Sequence, residues 1–366
     1  MRVRSAHHGV MRWLPSVLLS LATVACTPTP ASEPAAGASG GDAGPVAAEG
    51  YAVERVVDGL DGPTQVVEGP DGRLWVGQLA GAEGAGEGQV VAVEPGSGET
   101  EVLLEGLAKP TGIAVLDGHL WVMEERSLGR APVDDYGAVG ALEVVLDGLP
   151  NNGRSEGTLT VTPDGTLLYD TSGTLAEGTA AAGSGTLFEL DPAVPGAPEP
   201  VATGFKHAYA HVAAEDGRVW TTEMNDGSFD GEAGPEEVVL LDPDAVTDGG
   251  WPRCVGDRQP VEEYGGTDAA CAGTVAPLAL LDPGGTPTGL ALAPWDADQL
   301  LVTSWTRGEV LGLPTERPDG APPAEPDLIA TGFQGPQHLL PAPDGDGLLV
   351  TEHATGTIWR LSRATR

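Results

Sequence analysis

The amino-acid sequence predicts an all-β fold, a six-bladed β-propeller with four-stranded blades and a ring closed by the N-terminal strand. Three observations support this prediction. First, a hydrophobic strand, a Pro-Asp-Gly-like turn and a strand similar to Leu-Trp-Val recur six times along the 366-residue chain. Second, the first four turn glycines are 46, 47 and 52 residues apart, which is the spacing of propeller blades; they are Gly72, Gly118, Gly165 and Gly217. Third, a lone strand precedes the first repeat, and the chain ends after a third strand.

Each repeat begins with a β-hairpin. Asp-Gly between two alternating apolar runs is typical of a hairpin turn, because both residues tolerate positive φ. The six hairpins are predicted around residues 65–76, 116–122, 162–168, 215–220, 293–302 and 342–350.

The remaining strands of each blade follow the hairpin. A third strand opens with Gly, as at residues 88–95, 185–192 and 356–361. A fourth strand ends in Gly-Leu or Gly-Phe, as at residues 101–107, 144–149, 201–205 and 328–333. Four strands make one propeller blade. Residues 53–57 are predicted to pair with 357–361, so that neither terminal sheet keeps an unpaired inner edge. No amphipathic helical pattern is present.

The N-terminus predicts export. Residues 1–26 have a basic start, a short apolar run at 13–22 and Cys26 after small residues, which is typical of a lipoprotein signal peptide. The alternative is an ordinary signal peptide in which Cys26 is incidental. Residues 27–50 are rich in Pro, Ala and Gly and predict a disordered tether, followed by the propeller at 51–366. We expect a lipoprotein anchored on the extracytoplasmic side of the membrane, or a secreted protein.

The charge excludes one class of partner. The chain has a formal net charge of −36 at pH 7, and such a surface repels nucleic acid and anionic membranes. We therefore expect no nucleic-acid partner, and membrane contact only through a lipid on Cys26.

The cysteine count predicts a disulfide. With Cys26 carrying the lipid, Cys254 and Cys271 remain as a pair in an oxidising compartment. A zinc site is the alternative, although no nearby pair of histidines completes the usual ligand set.

One face of the ring is predicted to collect the functional groups. Loops on a rigid scaffold concentrate function, and here the relevant loops lead into the innermost strands or join second to third strands. They hold most of the few basic residues, which indicates an anionic ligand near the axis. The alternative is that each base pairs with a neighbouring acid. The side chains predicted to converge are Arg154, Lys206, His207, Arg307, Gln337 and His338.

Three segments resemble the pyrroloquinoline-quinone (PQQ)-dependent glucose/sorbosone dehydrogenases, which are six-bladed propellers. They are residues 248–254, 304–307 and 335–360. The resemblance implies PQQ as cofactor and a small sugar or aldehyde as substrate. It also implies a set of cofactor-binding residues, namely Lys206, Arg307, Arg154, Gln337 and His338.

Two departures from the family pattern concern catalysis. Arg154 stands where the family has a histidine that acts as general base, and a guanidinium cannot accept a proton. Lys206 and His207 replace the family's Arg-Asn pair. His207 and His211 are therefore the candidate catalytic residues, as displaced bases.

An acidic loop at residues 223–232 lies where the family has calcium-associated acidic segments. Hard oxygen ligands at short spacing suit calcium, and the candidate ligands are Glu223, Asn225 and Asp226. The alternative is a solvated acidic loop.

Three functions follow as hypotheses. The first is a PQQ-dependent sugar or aldehyde dehydrogenase. The second is a catalytically inactive propeller that binds carbohydrate or protein at the cell surface. The third is a calcium-dependent lactonase-type hydrolase, for which Glu124, Asn152, Asn225 and Asp226 would have to converge.

Overall fold

A computed structural model of the chain describes residues 44–81, 86–154, 156–225 and 234–364, with the backbone of 228–229 and 232–233. The predicted signal peptide with Cys26, most of the predicted tether and the predicted calcium ligand Asp226 lie outside these residues. Among the described residues, no helix has the length and apolar character needed to cross a membrane.

Six four-stranded antiparallel sheets form the blades of a propeller, as predicted. From the innermost strand outwards, blade 1 contains Pro63–Glu68, Leu74–Gln78, Gly88–Val93 and Thr100–Leu107. Blade 2 contains Gly112–Leu116, His119–Met123, Ser127–Pro132 and Glu143–Asp147. Blade 3 contains Thr160–Val161, Leu167–Thr171, Thr186–Leu190 and Glu199–Thr203. Blade 4 contains His211–Ala213, Val219–Glu223, Glu236–Leu240 and Ala279–Leu281. Blade 5 contains Pro287–Ala293, Asp296–Ser304, Glu309–Pro314 and Asp327–Thr331. Blade 6 contains Pro336–Pro341, Leu348–Glu352, Thr357–Arg363 and Tyr51–Val57.

Short elements decorate the ring. Two outer strands extend blades 3 and 5, namely Thr247–Asp248, which runs parallel to its neighbour, and Val46–Ala47. Three two-stranded hairpins are formed by Leu175–Ala176 with Thr179–Ala180, Ser228–Phe229 with Glu232–Ala233, and Cys254–Val255 with Gln259–Pro260. A 3-10 turn, Glu262–Tyr264, precedes a one-turn α-helix, Asp268–Cys271. That helix is too short to carry an amphipathic pattern, which is why the sequence did not predict it.

The N-terminal strand closes the ring. Tyr51–Val57 pairs antiparallel with Thr357–Arg363, placing Val53 opposite Leu361, so the predicted closure is confirmed. A short strand also lies within the segment that we assigned to the tether, where Val46 pairs with Thr331. Its backbone groups complete the outer edge of blade 5.

Hydroxyl groups join neighbouring blades at the axis. In five of the six blade contacts, a threonine hydroxyl donates to a carbonyl of the next innermost strand or of the loop before it. The bonds are Thr64 to Pro110 at 2.7 Å, Thr160 to His211 at 2.7 Å, Thr222 to Pro287 at 3.3 Å, Thr288 to Pro336 at 2.8 Å and Thr351 to Thr64 at 2.7 Å. Buried Gln65 serves the remaining contact: its Oε1 accepts from the N–H groups of Ile113 in blade 2 and Leu159 in blade 3.

Tryptophans of the second strands fill the spaces between blades. Trp75 packs with Ile113 of blade 2, and Trp121 packs with Tyr169 of blade 3. Trp220 packs with Leu290 of blade 5. Since an aromatic side chain buries the largest apolar area, the repeated Leu-Trp-Val phrase is a packing device between blades.

The hairpin turns use positive φ less often than predicted. Both turn residues adopt it at Asp117 and Gly118, with φ of 50° and 68°. At the Pro-Asp-Gly turns only the glycine does so, as in Gly72 with φ 79°. The longer turn needs a single left-handed residue.

Replacing Thr351 by valine tests the hydroxyl bonds at the axis. We expect Thr351→Val to lower the free energy of unfolding by about 1–3 kcal/mol, because the buried carbonyl of Thr64 loses its donor. Urea denaturation measures this. Thr100→Val, at an exposed strand end, is the control and should stay within about 0.5 kcal/mol of wild type. Equal stability of the two variants would refute the role of these bonds.

Candidate functional site

Residues at the end of the second strands, or directly after it, anchor the loops that lead into the innermost strands. In five blades a side-chain oxygen at this position accepts a loop N–H. The bonds run from Asp61 to Gln78 at 3.0 Å, Ala108 to Glu124 at 2.6 Å, Asn152 to Ser172 at 2.9 Å, Lys206 to Glu223 at 2.5 Å and Gln334 to Glu352 at 2.6 Å. This repeated contact holds the loops of the face on which the sequence predicted the functional groups.

A buried cluster of two carboxylates and one imidazole lies between blades 3 and 4. Nε2 of His207 lies 3.2 Å from Oδ2 of Asp170 and 3.9 Å from Oε2 of Glu156. The three side chains are between 0% and 3% exposed. The 3.2 Å contact is in ion-pair range, but its alignment is not that of a hydrogen bond. We call Glu156, Asp170 and His207 the carboxylate–histidine cluster.

Backbone groups hold the two carboxylates in a reciprocal arrangement. The N–H of Gly157, next to Glu156, donates to Oδ1 of Asp170 at 2.8 Å. The N–H of Ser172, two residues after Asp170, donates to Oε2 of Glu156 at 2.8 Å. A Cβ on residue 157 would lie 2.4 Å from Oδ1 of Asp170 and 2.2 Å from the carbonyl oxygen of Tyr209. Glycine at 157 therefore permits the close approach of blades 3 and 4.

Burial controls the protonation of two glutamates at this face. Burial, together with the charge of Asp170, raises the pKa of Glu156 to about 8, against a smaller opposing effect of His207. Burial also raises the pKa of Glu223 to about 8, although the N–H groups of Lys206 and His207 oppose this shift. Both side chains therefore hold a proton over much of the neutral range.

The other buried histidines are neutral. Burial lowers the pKa of His211 to about 4, and Nδ1 of His211 lies 2.8 Å from the hydroxyl of Thr160. Burial and the neighbouring His211 lower the pKa of His338 to about 3. Nε2 of His211 and Nδ1 of His338 have no hydrogen-bond partner among the described residues. Gln337 reaches across to blade 4 and donates to the hydroxyl of Tyr209.

The predicted anion-binding residues differ in exposure. His207, Gln337 and His338 are buried, Lys206 is half-buried, and Arg154 and Arg307 are exposed. Arg154 and Lys206 precede innermost strands, whereas Arg307 follows a second strand, so all three loops open at the same end of the ring. Nη2 of Arg307 lies 3.3 Å from Asp282, a pairing with a neighbouring acid that the sequence had left open as an alternative.

The predicted calcium ligands are engaged in other contacts. Both carboxylate oxygens of Glu223 accept backbone N–H groups. Asn225 donates its N–H to Glu236 at 2.5 Å and its side-chain amide to Glu237 at 3.4 Å. Calcium at this loop stays a prediction, because its third expected ligand, Asp226, lies outside the described residues.

Sequence reasoning missed the two carboxylates of the cluster. Glu156 was one acidic residue among many in a loop, and Asp170 lies just beyond the hairpin predicted at residues 162–168. One signal was available for Asp170, because blades 1 and 2 carry Val76 and Val122 at the equivalent position two residues before the anchor. A carboxylate at a position that is valine in other blades is costly to bury and therefore indicates a site.

The cysteine pair forms the predicted disulfide, and the zinc alternative is wrong. Cys254 and Cys271 are bonded, with their Cα atoms 5.7 Å apart. They close a loop inserted between the third and fourth strands of blade 4. The insertion also supplies Thr247–Asp248 to blade 3, so it bridges the two blades that share the cluster.

A surface cavity lies elsewhere. It has a volume of about 600 Å³ and lies between blades 3 and 4 at the hairpin-turn end, with Pro163, Asp216 and Val246 in its wall. It contains none of the cluster residues. The acidic residues of its wall are exposed or half-buried, unlike the buried carboxylates of the cluster.

Solved structures with the same fold include PQQ-dependent sugar dehydrogenases. The calcium structure of a Trichoderma reesei carbohydrate-active enzyme of family AA12 has a TM-score of 0.73 at 16% identity, covering 88% of this chain and 97% of that one. The holo PQQ domain of a Coprinopsis cinerea pyranose dehydrogenase has a TM-score of 0.70 at 17% identity, covering 87% and 97%. A Xanthomonas campestris gluconolactonase has a TM-score of 0.54 at 16% identity, covering 88% and 96%.

At these identities the likeness shows the fold alone. The resemblance inferred from sequence is confirmed at that level. No protein-family model matches the chain, and no curated protein sequence matches it.

Stability should fall as pH rises toward 8. The folded pKa of Glu223, about 8, exceeds its ordinary 4.5, so its contribution is full below pH 4.5 and is lost as pH rises through 8. The lowered pKa values of His211 and His338 act oppositely, but only below about pH 6.5. Between pH 6.5 and 8 we expect Glu223→Gln to remove a slope of up to about 1.4 kcal/mol per pH unit.

Urea denaturation across that window measures the slope. Glu105→Gln, at an exposed position, is the matched control and should keep the wild-type slope. If wild type and Glu223→Gln show the same pH dependence, Glu223 is not the buried protonated group described above.

Proposed function

We propose that this chain is an exported PQQ-dependent dehydrogenase of sugars or aldehydes. One observation carries the proposal: Lys206 and His207 are adjacent, with the lysine half-buried at the functional face and the histidine buried against two carboxylates. An anchor for an anion thus lies beside groups that exchange protons. The shared fold with PQQ-dependent sugar dehydrogenases supports the same conclusion.

The charges of the face fit an anionic quinone. PQQ carries carboxylates, and Lys206, Arg154 and Arg307 would bind them through charge-assisted contacts worth about 1.5–3 kcal/mol each. Asn152 adds a further donor, because its Nδ2 is buried and has no hydrogen-bond partner among the described residues. When bound, the quinone supplies an acceptor for two electrons from the substrate.

The chain's own residues handle the proton. Arg154 cannot accept one, and His211 is held by Thr160. Of the two predicted histidines, His207 is the one within ion-pair range of carboxylates, and Glu223 fixes it by accepting its backbone N–H. We therefore assign the substrate's hydroxyl proton to the carboxylate–histidine cluster, through His207.

Lactone hydrolysis is a second candidate function. The observation that favours it is the donor set of the cluster, since the ligand atoms of Glu156, Asp170 and His207 all lie within 4.8 Å of one another. Metal-assisted hydrolysis needs such a set, and a gluconolactonase shares the fold. The activity assays below therefore include a lactone.

Quinone binding is the first test. We expect the mature protein, treated with EDTA and then supplied with calcium, to bind PQQ in a calorimetric or absorbance titration. Lys206→Ala should weaken binding by about 10- to 100-fold, because one charge-assisted contact is lost. Arg218→Ala, at the hairpin-turn end, is the control and should bind as wild type does. Absence of binding, or equal loss in both variants, would defeat the cofactor assignment.

Activity is the second test. With PQQ and calcium present, we expect dye reduction with aldoses or aldehydes, and His207→Gln should lower kcat by about 10²- to 10⁴-fold. Arg154→His, which restores the family's residue, should raise the rate. Hydrolysis of a sugar lactone without dye reduction would favour the second candidate. If the protein binds no quinone and shows no activity but binds glycans, the result would favour the catalytically inactive binding propeller.

The location of the protein is the third test. We propose that a lipid on Cys26 holds the propeller at the extracytoplasmic side of a membrane. Wild-type protein should then fractionate with membranes, and Cys26→Ala should release it. The N-terminal peptide of wild type should carry a lipid mass by mass spectrometry. Soluble wild-type protein cleaved before residue 26 would indicate the ordinary signal peptide instead.

A further inference from the structure

Two atoms of the carboxylate–histidine cluster are buried without a hydrogen-bond partner. Oδ2 of Asp170 and Nε2 of His207 have none among the described residues, although they lie 3.2 Å apart. Buried polar atoms are normally satisfied. Each of these two atoms therefore retains the capacity to coordinate a ligand.

The spacing of the donor atoms suits one small cation. Ligands about 2.0–2.2 Å from a tetrahedral ion lie about 3.4 Å from one another. Here the two measured contacts of Nε2 of His207 are 3.2 Å to Asp170 and 3.9 Å to Glu156. The third separation, between the two carboxylates, is within 4.8 Å. Small side-chain rotations would bring all three donors into coordination range.

Outer contacts orient the donors as in metal sites. Oδ1 of Asp170 is held by the N–H of Gly157, which leaves Oδ2 directed at His207. Oε1 of Glu156 accepts from Nδ2 of Asn151 at 2.7 Å. Metal ligands are typically held by such outer hydrogen bonds, which set their orientation.

The donor types select the class of cation. Calcium and magnesium prefer all-oxygen sites, whereas one imidazole with two carboxylates suits Zn²⁺, Mn²⁺ or Fe²⁺. The charges also agree, since one or two carboxylate charges offset a divalent ion that a low-dielectric interior would otherwise exclude.

We propose that Glu156, Asp170 and His207 bind one divalent transition-metal ion. The site differs in place and chemistry from the calcium loop expected around Glu223. Metal binding stands on the geometry of the cluster alone. Only its relevance to catalysis rests on the proposed function, because the ion would lie where that function handles the substrate's proton.

Metal content of the mature wild-type protein is the direct test. The protein is treated with EDTA, exposed to Zn²⁺ or Co²⁺ and desalted. We then expect about one ion per chain by inductively coupled plasma mass spectrometry. Bound Co²⁺ should show visible absorption bands typical of mixed nitrogen and oxygen ligation. An excess of Ca²⁺ or Mg²⁺ should not displace it. No PQQ is added, so the result does not depend on the quinone.

Variants locate the site. His207→Gln, Asp170→Asn and Glu156→Gln should each weaken Co²⁺ binding by at least about tenfold, and Asn151→Ala, which keeps all three ligands, by about 10- to 100-fold. The matched controls are His119→Gln and Asp164→Asn, which alter hairpin turns of blades 2 and 3. They should bind Co²⁺ as wild type does.

Two outcomes would overturn the proposal. One is a folded wild-type protein that retains no Zn²⁺ or Co²⁺. The other is retained metal whose affinity is unchanged in Asn151→Ala and in the folded ligand variants. If either result is obtained and the EDTA-treated protein still binds PQQ, the quinone assignment stands. The cluster would then have only the proton-handling role. If the protein binds metal but not PQQ, the metal site is supported and the assignment of PQQ as cofactor is rejected.

Discussion

The structure depends on how the innermost strands satisfy their backbone groups at the axis. Six strand starts meet there, and carbonyl oxygens that face the neighbouring blade are buried and cannot reach solvent. Threonine hydroxyls supply the missing donors, as from Thr351 of blade 6 to Thr64 of blade 1. Where blades 2 and 3 meet, Gln65 takes this role with both of its amide atoms. The blades are thus joined by specific polar contacts as well as by apolar packing, and the ring can hold loops in fixed positions.

Those positions create the site. In five blades the polar anchor at the end of the second strand accepts a loop N–H, so the loop that it fixes lies close to that strand end. In blade 4 the anchor Glu223 fixes Lys206 and His207 together. In blade 3 the anchor is a serine, and the larger Glu156 approaches from the loop itself and bonds the N–H of Ser172. This exchange of roles in one blade brings an extra carboxylate against His207.

Buried acids are a second theme of a protein with a net charge of −36. Burial raises the pKa of Glu156, Glu223 and Glu237, so folding favours their neutral forms. Backbone N–H groups compensate part of the desolvation cost at Glu223 and Glu237. At Glu156 and Asp170 two carboxylates face one imidazole, and a proton or a cation must offset the remaining charge. The same residues thus offer two alternative roles: they handle a proton when no ion is bound, and they hold the ion through the same atoms when it is.

The sequence by itself determined the blade repeat and the cysteine pair from local patterns. It determined ring closure from the strand count, because a lone first strand completes a last blade that has only three strands. These patterns act within one blade or between two neighbouring blades: they are the Asp-Gly turns, the strand lengths and tryptophans such as Trp75. Their regular spacing along the chain shows where each blade begins. Only the tertiary structure decided that Glu156, Asp170 and His207 meet, because they come from three segments of two blades. In an acid-rich sequence nothing distinguishes a buried glutamate such as Glu156 from an exposed one. Its burial follows from the close approach of the next blade, which Gly157 permits. Val46 was likewise assigned to the tether, since pairing with a distant edge strand leaves no local pattern. The anion-binding set was placed on one face by topology, but the burial that separates His207 from Arg154 and Arg307 required the packed loops.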